Sequence, residues 1–246
     1  MGSLIYGVNP VLEALKSRQR KPLELLVLHG AESSRLSAVC EAARARRVAI
    51  RSLDRRELDA LAEGARHQGV ALRLESQSVI ALEDLLDLWR NAGGKGVILV
   101  LDGITDPHNL GALARSAEAV GCQGIVLPKD RSCPITAAAE KASAGALAYL
   151  PVCRVTNVAR SLEVFKQAGF WVYGLAGDAG SQSLYDTDLR GNVVLVVGGE
   201  GKGLRDNVRK HCDALLAIPM RGQVSSLNAS VAGGVALFEV LRQQTV

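Results

Sequence analysis

Two strand-length apolar runs constrain this chain more than any other feature. Residues 96–104 (GVILVLDGI) and 192–200 (NVVLVVGGE) show no alternation of apolar and polar positions. That is the pattern of parallel strands covered on both faces. Further strand-like segments, GIVLP (124–128), LPVCRV (150–155), FWVYGLA (170–176) and ALLAIPM (214–220), are separated by helical stretches at 110–121, 137–147 and 161–167. This order predicts an open α/β sheet with ligand loops at the C-terminal ends of its strands, a nucleotide-type binding domain.

Residues 1–75 carry a smaller α/β pattern. A turn at Asn9-Pro10 opens a helix reaching residue 18, with Val11, Leu12 and Leu15 on one face; strands are expected at 23–28, 48–53 and 70–75, and helices at 35–46 and 56–63. Tyr6 is the only aromatic residue here, which argues against a base-stacking platform. The net charge of +4 is confined to this part: residues 1–75 hold 13 Lys and Arg against 9 Asp and Glu, and the rest holds 16 of each. A phosphate-rich partner fits this balance, with Arg44, Arg46, Arg47, Arg51, Arg55 and Arg56 as candidate backbone contacts, and so does a solvated basic surface. Residues 76–95, with the amphipathic ALEDLLDLW and the break at Asn91-Ala92-Gly93-Gly94, read as a linker. The expected division is 1–75, a linker 76–95, and 96–246.

No apolar run approaches the ~20 residues of a membrane span, and no signal pattern opens the chain, so a soluble, cytoplasmic protein without membrane contact is expected. The five cysteines, Cys40, Cys122, Cys133, Cys153 and Cys212, lack metal-ligand spacing. Inert thiols and no metal site are therefore expected.

The glycine-rich loop Gly198–Gly203 (GGEGKG) fits neither familiar phosphate motif. A P-loop would need Gly where Val196 stands and a hydroxyl where Gly203 stands, and a dinucleotide fingerprint belongs near the first strand. What remains is a backbone-lined concavity with one carboxylate, Glu200, compatible with a nucleoside-containing cofactor. Residues 218–241 follow as strand end, polar turn and helix, with Val231, Val235 and Phe238 at helical spacing. Gly233 and Gly234 each cost that helix about 1 kcal/mol relative to Ala, which implies that something approaches it closely.

Three blocks, LDGITDPHNLGALARSAEAVG (101–121), VVGGEGKGL (196–204) and IPMRGQVSSLNASVAGGVALFE (218–239), resemble the three ordered motifs of the SpoU family of RNA 2′-O-ribose methyltransferases. The small N-terminal domain, with YGVNPVLEAL, is similar to the substrate-binding extension of the branch that methylates a guanosine in large-subunit ribosomal RNA. The resemblance implies a parallel-sheet SPOUT domain with a deep trefoil knot, preceded by an RNA-binding domain of the ribosomal-protein L30e type. It implies S-adenosylmethionine as cofactor, ribosomal RNA as partner, and a homodimer through the knot. A non-catalytic RNA-binding factor of the same fold and an enzyme acting on tRNA are the alternatives.

Residue by residue, the resemblance assigns Asn109 and Arg115 from the first motif, Glu200 from the second, and Ser226 and Asn228 from the third to the catalytic site. Gly198, Ile218 and Leu227 fall where the family presents backbone groups to its cofactor. Taken alone, Asn109, Ser226 or Asn228 would serve as helix caps, and Arg115 as a solvated helix charge. Arg115 is read as a clamp on phosphate and ribose, since a guanidinium holds its proton too firmly to act as base. Glu200 is read as organising Arg115, Asn109 or the substrate ribose. His108, beside Asn109, is read as a structural turn residue.

Overall fold

The computed structural model describes residues 3–17, 20–30, 34–62, 66–75, 79–93, 96–178 and 180–245. In chain order these form β1 (Ser3–Tyr6), α1 (Val8–Lys16), β2 (Pro22–Leu28), α2 (Ser34–Ala45), β3 (Ala49–Leu53), α3 (Arg55–Leu61) and β4 (Val70–Leu74). Then come β5 (Val79–Ile80), α4 (Leu82–Asn91), β6 (Val97–Asp102), α5 (Pro107–Ala119), β7 (Gly124–Pro128), α6 (Ala137–Ala142) and β8 (Val152–Val155). The chain continues through α7 (Val158–Gln167), β9 (Trp171–Leu175), β10 (Gln182–Ser183), β11 (Val193–Gly198), α8 (Asp206–Arg209), β12 (Ala214–Ala217) and α9 (Ala229–Gln244). Contacts divide it into two compact units, residues 1–78 with 135–149, and residues 79–134 with 150–246.

The first unit is a four-stranded sheet in the order β1-β4-β2-β3, parallel only between β2 and β3. Asn9 and Pro10, expected as a turn, lie inside the first turn of α1. The missing N–H of Pro10 costs nothing there, because the first N–H groups of a helix have no intrahelical partner. Expected as one helix over 137–147, the later segment is instead α6 followed by a short 3-10 turn at Ala146–Ala148. The helix is broken where Ala144 and Gly145 adopt positive φ, at 51° and 98°. This segment belongs to the first unit. Arg20 pairs with Glu140, both side chains nearly fully buried, and the Ser17 hydroxyl donates to the Ala148 carbonyl at 2.6 Å. Burial pushes the Glu140 carboxyl up, against the pull of Arg20. Of the arginines considered for a nucleic-acid backbone, Arg46 is occupied: its guanidinium caps the end of α1, donating to the carbonyls of Ala14, Leu15 and Ser17.

The second unit is an eight-stranded sheet, parallel throughout, in the order β10-β12-β9-β11-β6-β7-β8-β5. All six residues of β6, and the first five of β11, are buried, as their unbroken apolar pattern requires. Residues 79–93, assigned to a linker by their break-rich ends, form β5 and α4, and Leu85, Leu86 and Trp89 of α4 lie in the main core of this unit. An amphipathic helix with that much apolar surface is buried rather than left spanning between domains. The outer parts of that stretch, 76–78 and 94–95, lie outside the described residues. No described helix is long and apolar enough to cross a membrane.

From β6 the chain builds outward through β7 and β8 on one side, then fills the other side with β9, β11 and β12. The boundary between β6 and β11 is thus where the winding reverses, and the crevice outside the C-terminal ends of such strands is where open parallel sheets hold ligands. The first-motif loop leaves β6 there, and the glycine loop leaves β11 beside it.

Candidate active site

Glu200 sits at the tip of the loop that leaves β11. The loop is held so close to its neighbours that glycine is required: a Cβ on Gly199 would lie 2.3 Å from the Gly103 carbonyl oxygen, and one on Gly198 would lie 2.3 Å from the Gly203 carbonyl carbon. Gly201 and Gly203 turn it with φ of 79° and 62°. Exposed at this tip, the Glu200 carboxylate accepts hydrogen bonds through one oxygen from the side-chain amides of Asn109 and of Asn228, the latter at 3.2 Å. One carboxylate therefore joins residues from all three motifs.

Asn109 is not the cap of α5. Asp106 is, accepting the His108 N–H at 2.9 Å with Pro107 at the first helical position. This leaves Asn109, buried in the first turn, free to present its amide to Glu200. His108 contributes its backbone N–H to this cap, while its ring is exposed and bonds to no described residue. Asn228 does cap α9, its Oδ1 accepting from the Ser230 N–H at 2.9 Å and the Ser230 hydroxyl at 2.6 Å, while its Nδ2 reaches Glu200. Ser226 is not the cap; it lies exposed two residues upstream.

Arg115 is not organised by Glu200. It is exposed on α5, six residues beyond Asn109, or about 9 Å along the axis. Its side chain makes no hydrogen bond or ion pair with any described residue. Gly198 ends β11 half-buried, paired in register with Asp102. Ile218, half-buried, leads into residues 219–227, all exposed, whose backbones form no hydrogen bond with any described residue. Leu227, 38% exposed, ends that stretch. Nine successive residues with open C=O groups, and open N–H groups on all but Pro219, offer a backbone surface to whatever binds there. The stretch also comes near the loop after β9, since a Cβ on Gly177 would lie 3.8 Å from the Ser225 carbonyl oxygen.

The helix that follows explains its glycines. A Cβ on Gly233 would lie 2.3 Å from Leu113 of α5, so α5 itself is the close neighbour. The buried residues of α9 are Gly233, Ala236, Leu237, Glu239 and Val240, whereas Val231 and Phe238, whose spacing marks the helix in the sequence, are 51% and 50% exposed. Gly233 admits α5, Leu237 and Val240 are buried beside it, and Val231 and Phe238 are turned outward.

The sequence reading missed Asp102 and Arg205. Asp102 is fully buried at the end of β6, and its carboxylate accepts from the Arg205 backbone N–H at 2.9 Å and from Nε at 2.6 Å. A carboxylate ending an otherwise apolar strand was the available signal. A separate cavity of about 630 Å3, lined by Gln182, Asp206, Arg209, Lys210 and Asp213, holds none of the motif residues.

Burial holds the Cys122 and Cys212 thiols up at about 12 and Cys153 at about 11, so they stay protonated and poor as metal ligands or nucleophiles. Among the described residues no group of three or more His, Cys, Asp or Glu is placed to hold a metal ion.

The site is thus a glycine loop at the winding reversal of a parallel sheet, with an Asn–Glu–Asn cluster that leads into open backbone. The model of the SpoU rRNA methylase family matches residues 96–238, and that of the RNA 2′-O ribose methyltransferase substrate-binding domain matches residues 4–79. The chain belongs to the SpoU rRNA methylase family. It is 47% identical over 242 residues to the 23S rRNA (guanosine-2′-O-)-methyltransferase RlmB of Xylella fastidiosa, covering 98% of this chain and 97% of that one. It is 41% identical over 245 residues to RlmB of Escherichia coli K12, covering the whole of both. Among solved structures, the AdoMet-bound rRNA methyltransferase of Sinorhizobium meliloti matches with a TM-score of 0.81 at 26% identity, covering 98% of this chain and 87% of that one.

Proposed function

We propose that this protein transfers a methyl group from S-adenosylmethionine to the ribose 2′-hydroxyl of a guanosine in 23S rRNA. The observation that carries the reading is the Glu200 carboxylate held by the amides of both Asn109 and Asn228, which gathers the three motifs at one point. Full-length similarity to proteins named for this reaction supports the substrate.

The cofactor's fit rests on the backbone. Residues 219–227, Leu227 at their end, leave their main-chain groups open beside the loop after β9, and with Ile218 and Gly198 they would hold the cofactor. When bound, S-adenosylmethionine supplies a methyl group on an electrophilic sulfonium. The chain's own work is positioning, because an in-line displacement depends on the approach of the hydroxyl more than on stabilising a large new charge. Glu200 fixes the two asparagine amides, and Ser226 and Asn228 face the ribose. Arg115, permanently charged and without a partner among the described residues, clamps the RNA phosphate and stabilises the developing alkoxide.

The finer architecture belongs to the same reading. The C-terminal stretch is the family's trefoil knot, supported by the approach of Ser225 to the loop at Gly177. The first unit is an RNA-binding domain of the L30e type, supported by its four-stranded α/β sheet and its exposed Arg44, Arg47, Arg51, Arg55 and Arg56. Two copies associate through α9, whose outward Val231 and Phe238 are apolar surface awaiting cover.

Mapping ribose methylation in RNA from cells with and without this gene tests the reading. One 23S rRNA guanosine should lose its 2′-O-methyl group. Loss at a tRNA position instead, or no change at any ribose, overturns it.

A further inference from the structure

The loop that carries Glu200 is fastened at both ends by one residue. At its entry, the Asp102 backbone carbonyl accepts the Gly199 N–H at 2.9 Å, continuing the pairing of β6 with β11. At its exit, the Asp102 carboxylate accepts the Arg205 backbone N–H at 2.9 Å through Oδ2 and its Nε at 2.6 Å through Oδ1, and the terminal guanidinium nitrogen stands 2.5 Å from Oδ1. The Asp102 side chain is 0% exposed, whereas that of Arg205 is 42% exposed. A wholly buried carboxylate survives only when paired and hydrogen-bonded, so the position of Arg205 is dictated by Asp102. Between the two anchors the loop closes on itself, with the Gly203 N–H donating to the Gly199 carbonyl at 3.0 Å. Glu200 is the residue after the first anchor, and its carboxylate meets Asn109 and Asn228 from there.

We infer that Asp102 and Arg205 form a positioning pair that sets the place of the Glu200 carboxylate between the two asparagine amides. Neither residue acts on the substrate; both act through Glu200. The pair also ties the second-motif loop to the strand from which the first motif leaves, so that the two motifs move as one body. The kinetic arm of the test rests on the proposed methyl transfer, while the spectroscopic arm does not.

Arg205→Ala keeps the backbone N–H bond to Asp102 and removes the guanidinium. It should lower kcat by roughly ten- to a hundredfold, as small misplacements of an active-site group do, with KM for RNA within about twofold. In a Glu200→Ala background the same change should lower kcat by no more than about twofold further, because a residue that acts through another has nothing left to position. The NMR signals of the Asn109 and Asn228 side-chain amides should shift in Arg205→Ala, although neither residue is changed. Arg205→Lys, which restores a cation, should recover part of both effects, and it carries the same cycle should Arg205→Ala fail to fold. An equal loss of kcat in both backgrounds, or unmoved amide signals, overturns the pair's role. If the wild-type protein transfers no methyl group, the proposed function fails, and the amide signals still decide for or against the pair.

Discussion

Asn228 faces two partners with the two ends of one amide, and substitution separates them. Its oxygen caps α9 and its nitrogen bonds Glu200. Asn228→Ala removes both, so stability should fall by about 1 kcal/mol, a drop of roughly 2–4 °C in Tm by calorimetry, together with methyl transfer. Asn228→Asp keeps a capping oxygen and turns a like charge toward Glu200; it should change stability by about 0.5 kcal/mol or less yet lose transfer. Arg115→Ala offers the cleanest contrast. Exposed and without a described partner, the side chain should be worth under about 0.5 kcal/mol to stability, while its loss should reduce transfer by roughly a hundredfold or more in a radiolabel assay. The motif residues were legible in the sequence only through resemblance. The resemblance also put Asn109 among the partners of Glu200, as the structure has it, but not Asn228, which lies 28 residues after Glu200 and bonds the same carboxylate. Nor was the independence of Arg115 legible, because helical spacing places it on α5 without saying what faces it.

Among the elements, α9 was the least readable. Its glycines announced a close neighbour, and α5 supplies it; the spacing of Val231, Val235 and Phe238 marked the helix without telling which face is buried. Where α5 approaches, the buried stripe of α9 places Gly233 and Ala236 beside Leu237 and Val240, and the small residues at the contact leave no mark in a hydrophobicity pattern. The two glycines should therefore respond differently. Gly233→Val drives a side chain into fully buried Leu113 and should cost about 1–3 kcal/mol, whereas Gly234→Ala, whose Cβ meets only the Ser116 hydroxyl at 3.4 Å, should leave Tm unchanged or raise it by thermal unfolding. Asn9-Pro10 misled for a related reason, because a proline that reads as a turn signal is equally at home in the first turn of a helix.

At the scale of the molecule, the unbroken apolar runs made the parallel sheet readable, and the alternation of helices and strands made the small α/β unit readable. Membership of the 135–149 segment in the first unit was hidden, since the buried Arg20–Glu140 pair joins residues 120 positions apart. Three cysteines report on the integrity of the second unit. With their thiols held at about 11 to 12, Cys122, Cys153 and Cys212 should resist alkylation at pH 8 in the native protein and react once it is unfolded, as peptide mass spectrometry would show. The central claim, that three motifs meet at Glu200 to methylate a ribose of ribosomal RNA, is tested most directly by nucleoside analysis of unmodified 23S rRNA incubated with the protein and isotope-labelled S-adenosylmethionine. Label should appear in 2′-O-methylguanosine with the wild type and fall by roughly a hundredfold, to a small measurable residue, with Glu200→Ala. Label in a base-methylated nucleoside, or undiminished label with Glu200→Ala, would contradict it.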